Sequence, residues 1–159
     1  MQRHFSQTHY ETRVGERIRF LPVQTSERVS PVCVTLDELG DRWDTAKINL
    51  PLRTMYNGKT FGNVHAGKDL NFDFAQLIAH AAKTRELRAG TIIGSGTVSK
   101  TNYSEVGSSC LAEKRMIETL ETGQPITRFM EPGDTIRIEM IDDDGRSIFG
   151  AIDQTVTSA

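Results

Sequence analysis

Gly94-Ser-Gly-Thr97 is the stretch of this chain best suited to hold a ligand. Glycine lets a backbone approach a bound molecule closely, and a threonine hydroxyl can donate to a carboxylate or carbonyl oxygen. The competing reading is a glycine bulge in a core strand. A phosphate loop is excluded, because no Lys-Ser/Thr follows at the required place. Asp142-Asp-Asp-Gly145 gathers carboxylates but lacks the spaced ligands and distal Glu of a calcium loop, so a solvated hairpin turn is expected there. His65 and His80 are far apart, and neither HxxxH nor HExxH occurs, so histidine metal ligation has little support. No GxSxG elbow is present. Cys33 and Cys110 form no CxxC pair, and two thiols cannot build a four-thiolate zinc site. Both are expected to be free thiols of a cytoplasmic protein.

The elements that would position these groups follow from spacing. Phe74, Leu77, Ile78 and Ala81 recur at helical intervals behind Asn71 or Asp73, which predicts a helix over 74–84. His80 falls off that stripe and is expected at the surface. Leu111, Met116, Ile117 and Leu120 form a second stripe behind Ser108 or Ser109, which predicts a helix over 110–121, stopped by Gly123 and Pro125. Glu113, Lys114, Arg115, Glu118 and Glu121 read as its surface charges. Pro31–Thr35 and Thr91–Ser99 read as β runs. Asn49–Tyr56 and Lys59–Val64 flank Asn57-Gly58, the strongest hairpin signal in the chain. Thr135–Met140 alternates with period two, and Ser147–Ile152 is expected to return beside it after the Asp142–Gly145 turn. The fold class expected is therefore α+β and β-rich.

Composition sets the outer limits. The chain has 159 residues, 37% hydrophobic and 25% charged, with 19 basic against 21 acidic side chains. That is a single soluble domain with no strong field to attract nucleic acid or an anionic membrane. No apolar run approaches the ~20 residues of a spanning helix, and the N-terminus has no apolar signal core.

Taken together, Ser30-Pro-Val-Cys-Val-Thr-Leu-Asp-Glu-Leu-Gly40, Leu50-Pro-Leu52, Asn57-Gly58, Asp73 to Arg85, Ala89 to Ser99, Cys110-Leu-Ala-Glu-Lys-Arg115, Gly133 to Met140 and Ser147 to Gln154 resemble the fumarylacetoacetate hydrolase family. The resemblance runs in order from Ser30 to about Val156. It implies a mixed β-roll, of which this chain would hold part, and a homodimer of the full-length protein. It also implies a divalent metal (Mg, Ca or Mn) and cleavage of a carbon–carbon bond in a 2,4-dioxo acid, in aromatic catabolism. Of the family's substrate contacts, only the threonine of Gly-Ser-Gly-Thr carries over, onto Thr97. The acidic metal ligands, which precede Ser30 in the family, have no counterpart. Arg3 stands where the family has a strand Asp, and Gln24 where it has a loop Lys.

Residues 1–29 are polar and follow neither the helical nor the strand period. Their codons, read one base on, permit Asn-Asp-Ile-Ser-Leu-Arg from 2–7, Glu-Leu-Gly from 13–15, and Lys-Gly-Phe-Gly-Phe-Phe-Gln-Ser-Lys-Pro-Ala-Ser-Ala-Phe from 16–29. That is the family's sequence at the family's spacing, leading into Ser30. One base lost near Val29/Ser30 would produce it. The expectation is that 1–29 is an out-of-frame, poorly packed segment with Phe5, Tyr10, Ile18 and Phe20 outside the core. Residues 30–159 would then be the C-terminal part of the catalytic domain. Such a chain would be an inactive truncated hydrolase that binds no metal. The alternative is a non-catalytic fragment or interaction module retaining the scaffold half.

Overall fold

The computed structural model describes residues 29–158, together with the backbone of one short hairpin nearer the N-terminus, β1 (Thr12–Val14) paired antiparallel with β2 (Arg17–Arg19). Expectations for Arg3, Phe5, Tyr10, Phe20, Gln24 and the side chain of Ile18 lie outside the described residues. No described helix is long and apolar enough to cross a membrane.

The described part begins with a short helix, α1 (Leu36–Leu39), and a 3-10 turn over Gly40–Arg42. A two-residue turn at Thr45 and Ala46 then joins β3 (Trp43–Asp44) to β4 (Lys47–Ile48). The turn carries the helix α2 (Phe74–Ala82), since the amide of Phe74 donates to the carbonyl of Ala46 at 2.9 Å and the Phe74 ring lies 5.9 Å from that of Trp43. Neither this small hairpin nor the short helix α3 (Tyr103–Val106) has a sequence signal strong enough to announce it.

The main sheet has four antiparallel strands in the order β6 (Lys59–His65), β5 (Pro51–Tyr56), β7 (Thr135–Met140), β8 (Ile152–Thr155). Asn57 and Gly58, both at positive φ, make the tight turn between β5 and β6, as the Asn-Gly pair requires. Period-two alternation splits the sheet into two faces. Leu52, Thr54, Val64, Ile138 and Ile152 share one, on which Thr54 and Val64 are almost wholly buried. Arg53, Asn63, Arg137, Glu139 and Asp153 share the other, where Arg137 bonds both Glu139 and Asp153.

Three expected strands come out differently. Pro31–Thr35 is not a strand: among the described residues its one backbone bond to a neighbouring segment is from Val32 N–H to the Phe149 carbonyl, 3.1 Å. Thr91–Ser99 is irregular as well; Gly96 has φ +76° and no described strand lies beside the segment to take its amides. The turn at Asp142–Gly145 forms, with the Asp142 carboxylate accepting from the amides of Asp144 and Arg146. The returning strand, however, starts at Ile152 rather than Ser147. Bridge pairing passes from Ile141 opposite Ser147 to Ile138 opposite Ile152, so the returning side carries two extra residues. That bulge brings Gly150 against Pro31, where an added Cβ would sit 2.6 Å from the proline ring.

Helix α2 spans Phe74–Ala82 and is entered by a capping box between Asp73 and Gln76, so Asp73 rather than Asn71 is the cap. It ends before Thr84 because the amides of Lys83 and Thr84 turn back to carbonyls three residues earlier. Helix α4 spans Leu111–Thr122 and is stopped by Gly123 at φ +88°. Cys110, not Ser108 or Ser109, holds its N-cap position; the Ser108 hydroxyl instead accepts the Cys110 amide at 3.1 Å and donates to Glu113.

The orientation of α4 overturns part of its expected pattern. Glu118 is 7% exposed, whereas Met116 is 60% and Leu120 80% exposed. Glu118 is drawn inward because its carboxylate accepts the amides of Ile126 and Thr127 and the Thr127 hydroxyl, at 2.6–2.8 Å. Half of the apolar stripe is thereby left facing out. Ile78, Ile92, Ile126 and Phe129 are exposed too, and the buried apolar side chains are only Leu39, Leu50 and Val64 among the described residues.

Candidate functional site

Gly94–Ser99 reaches its position through two anchors. The Ser109 hydroxyl donates to the Val98 carbonyl at 2.6 Å, tying the segment to the entry of α4. Just before that entry, Gly107 crosses Gly62 of β6, and the amide of Ser108 donates to the Phe61 carbonyl at 3.2 Å. No larger residue fits at this crossing: a Cβ on Gly62 would lie 2.1 Å from the Ser108 carbonyl oxygen.

So held, Ser95, Thr97 and Ser99 line one open cavity of about 230 Å³ together with Lys68, Asp69, Asn71, Phe72 and Leu77. Thr97, the residue singled out by sequence, is therefore on a cavity wall, accompanied by two hydroxyls at alternate positions. His65, at the end of β6, directly precedes Ala66, another residue of the lining. Burial first, and then the neighbouring Lys68 and Lys100 charges, hold its imidazole below the ordinary histidine pKa. Its Nδ1 is buried without a hydrogen-bond partner among the described residues, and so is Lys100 Nζ. The Lys100 side chain is only 5% exposed, with Asp69 Oδ2 3.2 Å from its nitrogen. His80, by contrast, is on the exposed surface of α2. Ser95 falls within the stretch singled out by sequence, whereas Lys68, Ser99 and Lys100 were not legible; the alternating hydroxyls of Ser95-x-Thr97-x-Ser99 are a signal that could have found Ser99, and no local pattern marks the two lysines.

The family's divalent cation has no fitting donor set here. Among the described residues, no group of three His, Cys, Asp or Glu side chains converges to hold one. The buried carboxylates are committed elsewhere. Glu118 takes the amides named above. Asp134 accepts from both terminal nitrogens of Arg128 (2.5 and 2.7 Å), Tyr56, Asn57 and the Glu131 amide. Glu139 is bound by Arg137 through two bonds of 2.9 Å. These partners hold all three carboxyls below their ordinary pKa, Asp134 most of all, through the Arg128 bonds. Hard cations need carboxylates with free lone pairs facing one point. These carboxylates instead brace the loop between α4 and β7 and the polar face of the sheet.

The family described as Fumarylacetoacetate (FAA) hydrolase C-terminal matches residues 5–157. The chain belongs to the fumarylacetoacetate hydrolase family, and its family-level function is hydrolase-like. The matched span opens inside residues 1–29 rather than at Ser30. No curated protein matches the chain.

Proposed function

We propose that the chain is the C-terminal part of a hydrolase that cleaves a carbon–carbon bond in a 2,4-dioxo acid of the fumarylacetoacetate or acylpyruvate kind. Thr97 would donate its hydroxyl to the substrate's carboxylate or carbonyl oxygen. The supporting observation is the cavity in which Thr97 stands with Ser95 and Ser99, inside the family match. A metal-dependent reaction, with Mg, Ca or Mn, would take its acidic ligands from sequence absent from this chain, so the isolated chain is proposed to be inactive. The whole enzyme would be a cytoplasmic homodimer of β-roll subunits serving aromatic catabolism.

Residues 1–29 are proposed to be translated out of frame, with 30–159 the native remainder. The gene's nucleotide sequence decides this: codons that do not spell the family motif in the other frame end the idea. If they do spell it, restoring the frame and the upstream sequence is expected to recover turnover of an acylpyruvate, followed by loss of its enol absorbance. In that protein Thr97→Ala is expected to lower kcat/KM roughly 10–150-fold, the worth of one hydrogen bond to a charged oxygen, about 1.5–3 kcal/mol. A restored protein without turnover would refute the reading. A second reading, a non-catalytic scaffold fragment, draws support from the outward Met116 and Leu120, an apolar surface suited to contact rather than catalysis.

A further inference from the structure

The Asn57-Gly58 turn is a reactive dipeptide as well as a tight one. The backbone nitrogen that follows the asparagine belongs to a glycine, so no side chain shields it, and it can attack the asparagine's own Cγ. The pair is exposed at the tip of the β5–β6 hairpin. Two bonds restrain the Asn57 carboxamide. Its Nδ2 donates to Asp134 Oδ1 at 2.8 Å, and its Oδ1 accepts the amide of Thr135, also at 2.8 Å. Both hold the carboxamide against the start of β7, and attack by Gly58 requires this latch to open.

The partner gives the reaction its consequence. Asp134 is 6% exposed and accepts from Arg128, Tyr56 and the Glu131 amide as well as from Asn57. These donors, Arg128 foremost, keep its carboxyl ionised. The Glu131 carboxylate, 3.6 Å from Arg128, adds a second negative charge to the cluster. A carboxamide fits beside Asp134 because it can donate a proton. An ionised carboxylate in the same place has none to give and would set two anions at hydrogen-bond distance.

We propose that Asn57 is a self-modification site, whose deamidation turns the donor that latches the β5–β6 turn to Asp134 into an anion that repels it. The Gly58 nitrogen bonds to Asn57 Cγ, the Cγ–Nδ2 bond breaks, and Nδ2 leaves as ammonia with the Gly58 amide proton, closing a succinimide. Water then opens the ring. Opening at Cγ leaves an aspartate. Opening at the backbone carbonyl leaves an isoaspartate, with an extra carbon in a turn whose Tyr56–Lys59 pairing has no place for it. Water is the only co-reactant, and neither product returns to asparagine. Each opening of the latch therefore exposes the chain to a one-way loss of the brace at this end of the sheet. The modification stands apart from the hydrolase reading.

The test incubates the full 159-residue chain at neutral pH, folded and in urea, and follows a mass gain of about 1 Da on the peptide that holds Asn57. The gain should be at least about tenfold faster in urea, because the folded rate is scaled by the fraction of time the latch is open. Gly58→Ala should suppress it in urea. Asn57→Asp, which installs the aspartate product directly, should melt below Asn57→Gly at neutral pH. Both substitutions tolerate φ +50° and both lose the donor to Asp134, but only the first adds a charge. Below about pH 4, where carboxylates take up protons, that gap should close or reverse. Equal rates folded and in urea, no gain in urea, or Asn57→Asp melting at or above Asn57→Gly at neutral pH would overturn the proposal.

Discussion

Gly62→Ala tests the geometry that holds the Thr97 segment. The new methyl carbon would lie 2.1 Å from the Ser108 carbonyl oxygen, 2.6 Å from its carbon and 3.0 Å from its nitrogen. All three are backbone atoms, so no side chain can swing aside. The separation must open from 2.1 Å to at least 3.0 Å, below which Cβ contacts essentially never occur. Gly107, at φ +75° on the other side of the crossing, has no room for a side chain either, since an added Cβ would lie 2.3 Å from the Phe61 carbonyl oxygen. Opening the crossing also threatens the bond from the Ser108 amide to that carbonyl. Overpacking costs about 1–3 kcal/mol and one lost backbone bond about 1 more, so a loss of roughly 2–4 kcal/mol is expected. In a chain of this length that lowers the melting temperature by roughly 4–16 °C, read by circular dichroism. Gly94→Ala is the matched control: the same atom is added where nothing lies within 4 Å and φ is not positive. It should be neutral or stabilise by up to about 1 kcal/mol through the unfolded chain. Gly62→Ala melting within 2 °C of the parent (~2 °C being the smallest shift expected per kcal/mol), or Gly94→Ala as damaging as Gly62→Ala, would refute the reasoning.

Glu118, Asp134 and Glu139 all have folded-state pKa values below their unfolded ones, so their contribution to stability is present above about pH 4–5 and is lost as pH falls through the folded values. Thermal melts should therefore steepen in pH dependence below about pH 5, and Asp134→Asn should lower the melting temperature at neutral pH while narrowing its gap from the parent in acid. Met116→Gln with Leu120→Gln should reduce self-association, measured by sedimentation, with little change in melting temperature, since both side chains are already in water; a large drop in stability would mean that they are packed. Cys33, exposed, should react with a thiol reagent under native conditions faster than the half-buried Cys110, and equal rates would contradict their placement.

The parts of the fold legible in the sequence are those set by neighbours close along the chain. Asn57-Gly58 needs only its own backbone preferences to turn, and Asp73 with Gln76 needs only one another to start α2. Thr91–Ser99 has the composition of a strand but no neighbouring described strand to pair with, a fact no local pattern contains. The same holds for Glu118, whose burial depends on loop amides eight and nine residues onward overruling an apolar stripe. For the candidate site, the family's motif singles out Thr97, which the structure puts on a cavity wall. The charge around it was not legible, because Lys68 and Lys100 come together only when the chain folds back between β6 and α3.

The strand order carries a consequence for synthesis. β5 pairs on one side with β6, which follows at once, and on the other with β7, which arrives only after the whole excursion through α2, the Gly94–Ser99 segment and α4. About seventy residues separate the end of β6 from the start of β7. At ~5–20 residues per second, the inner edge of a nascent β5–β6 hairpin waits roughly 4–14 s for its partner. Its unpaired amides are meanwhile a template for any other extended chain. The vulnerable moment for this protein is thus on the ribosome, and expression yield should respond to slower growth temperature or to a holdase chaperone more strongly than to substitutions that stabilise the finished sheet.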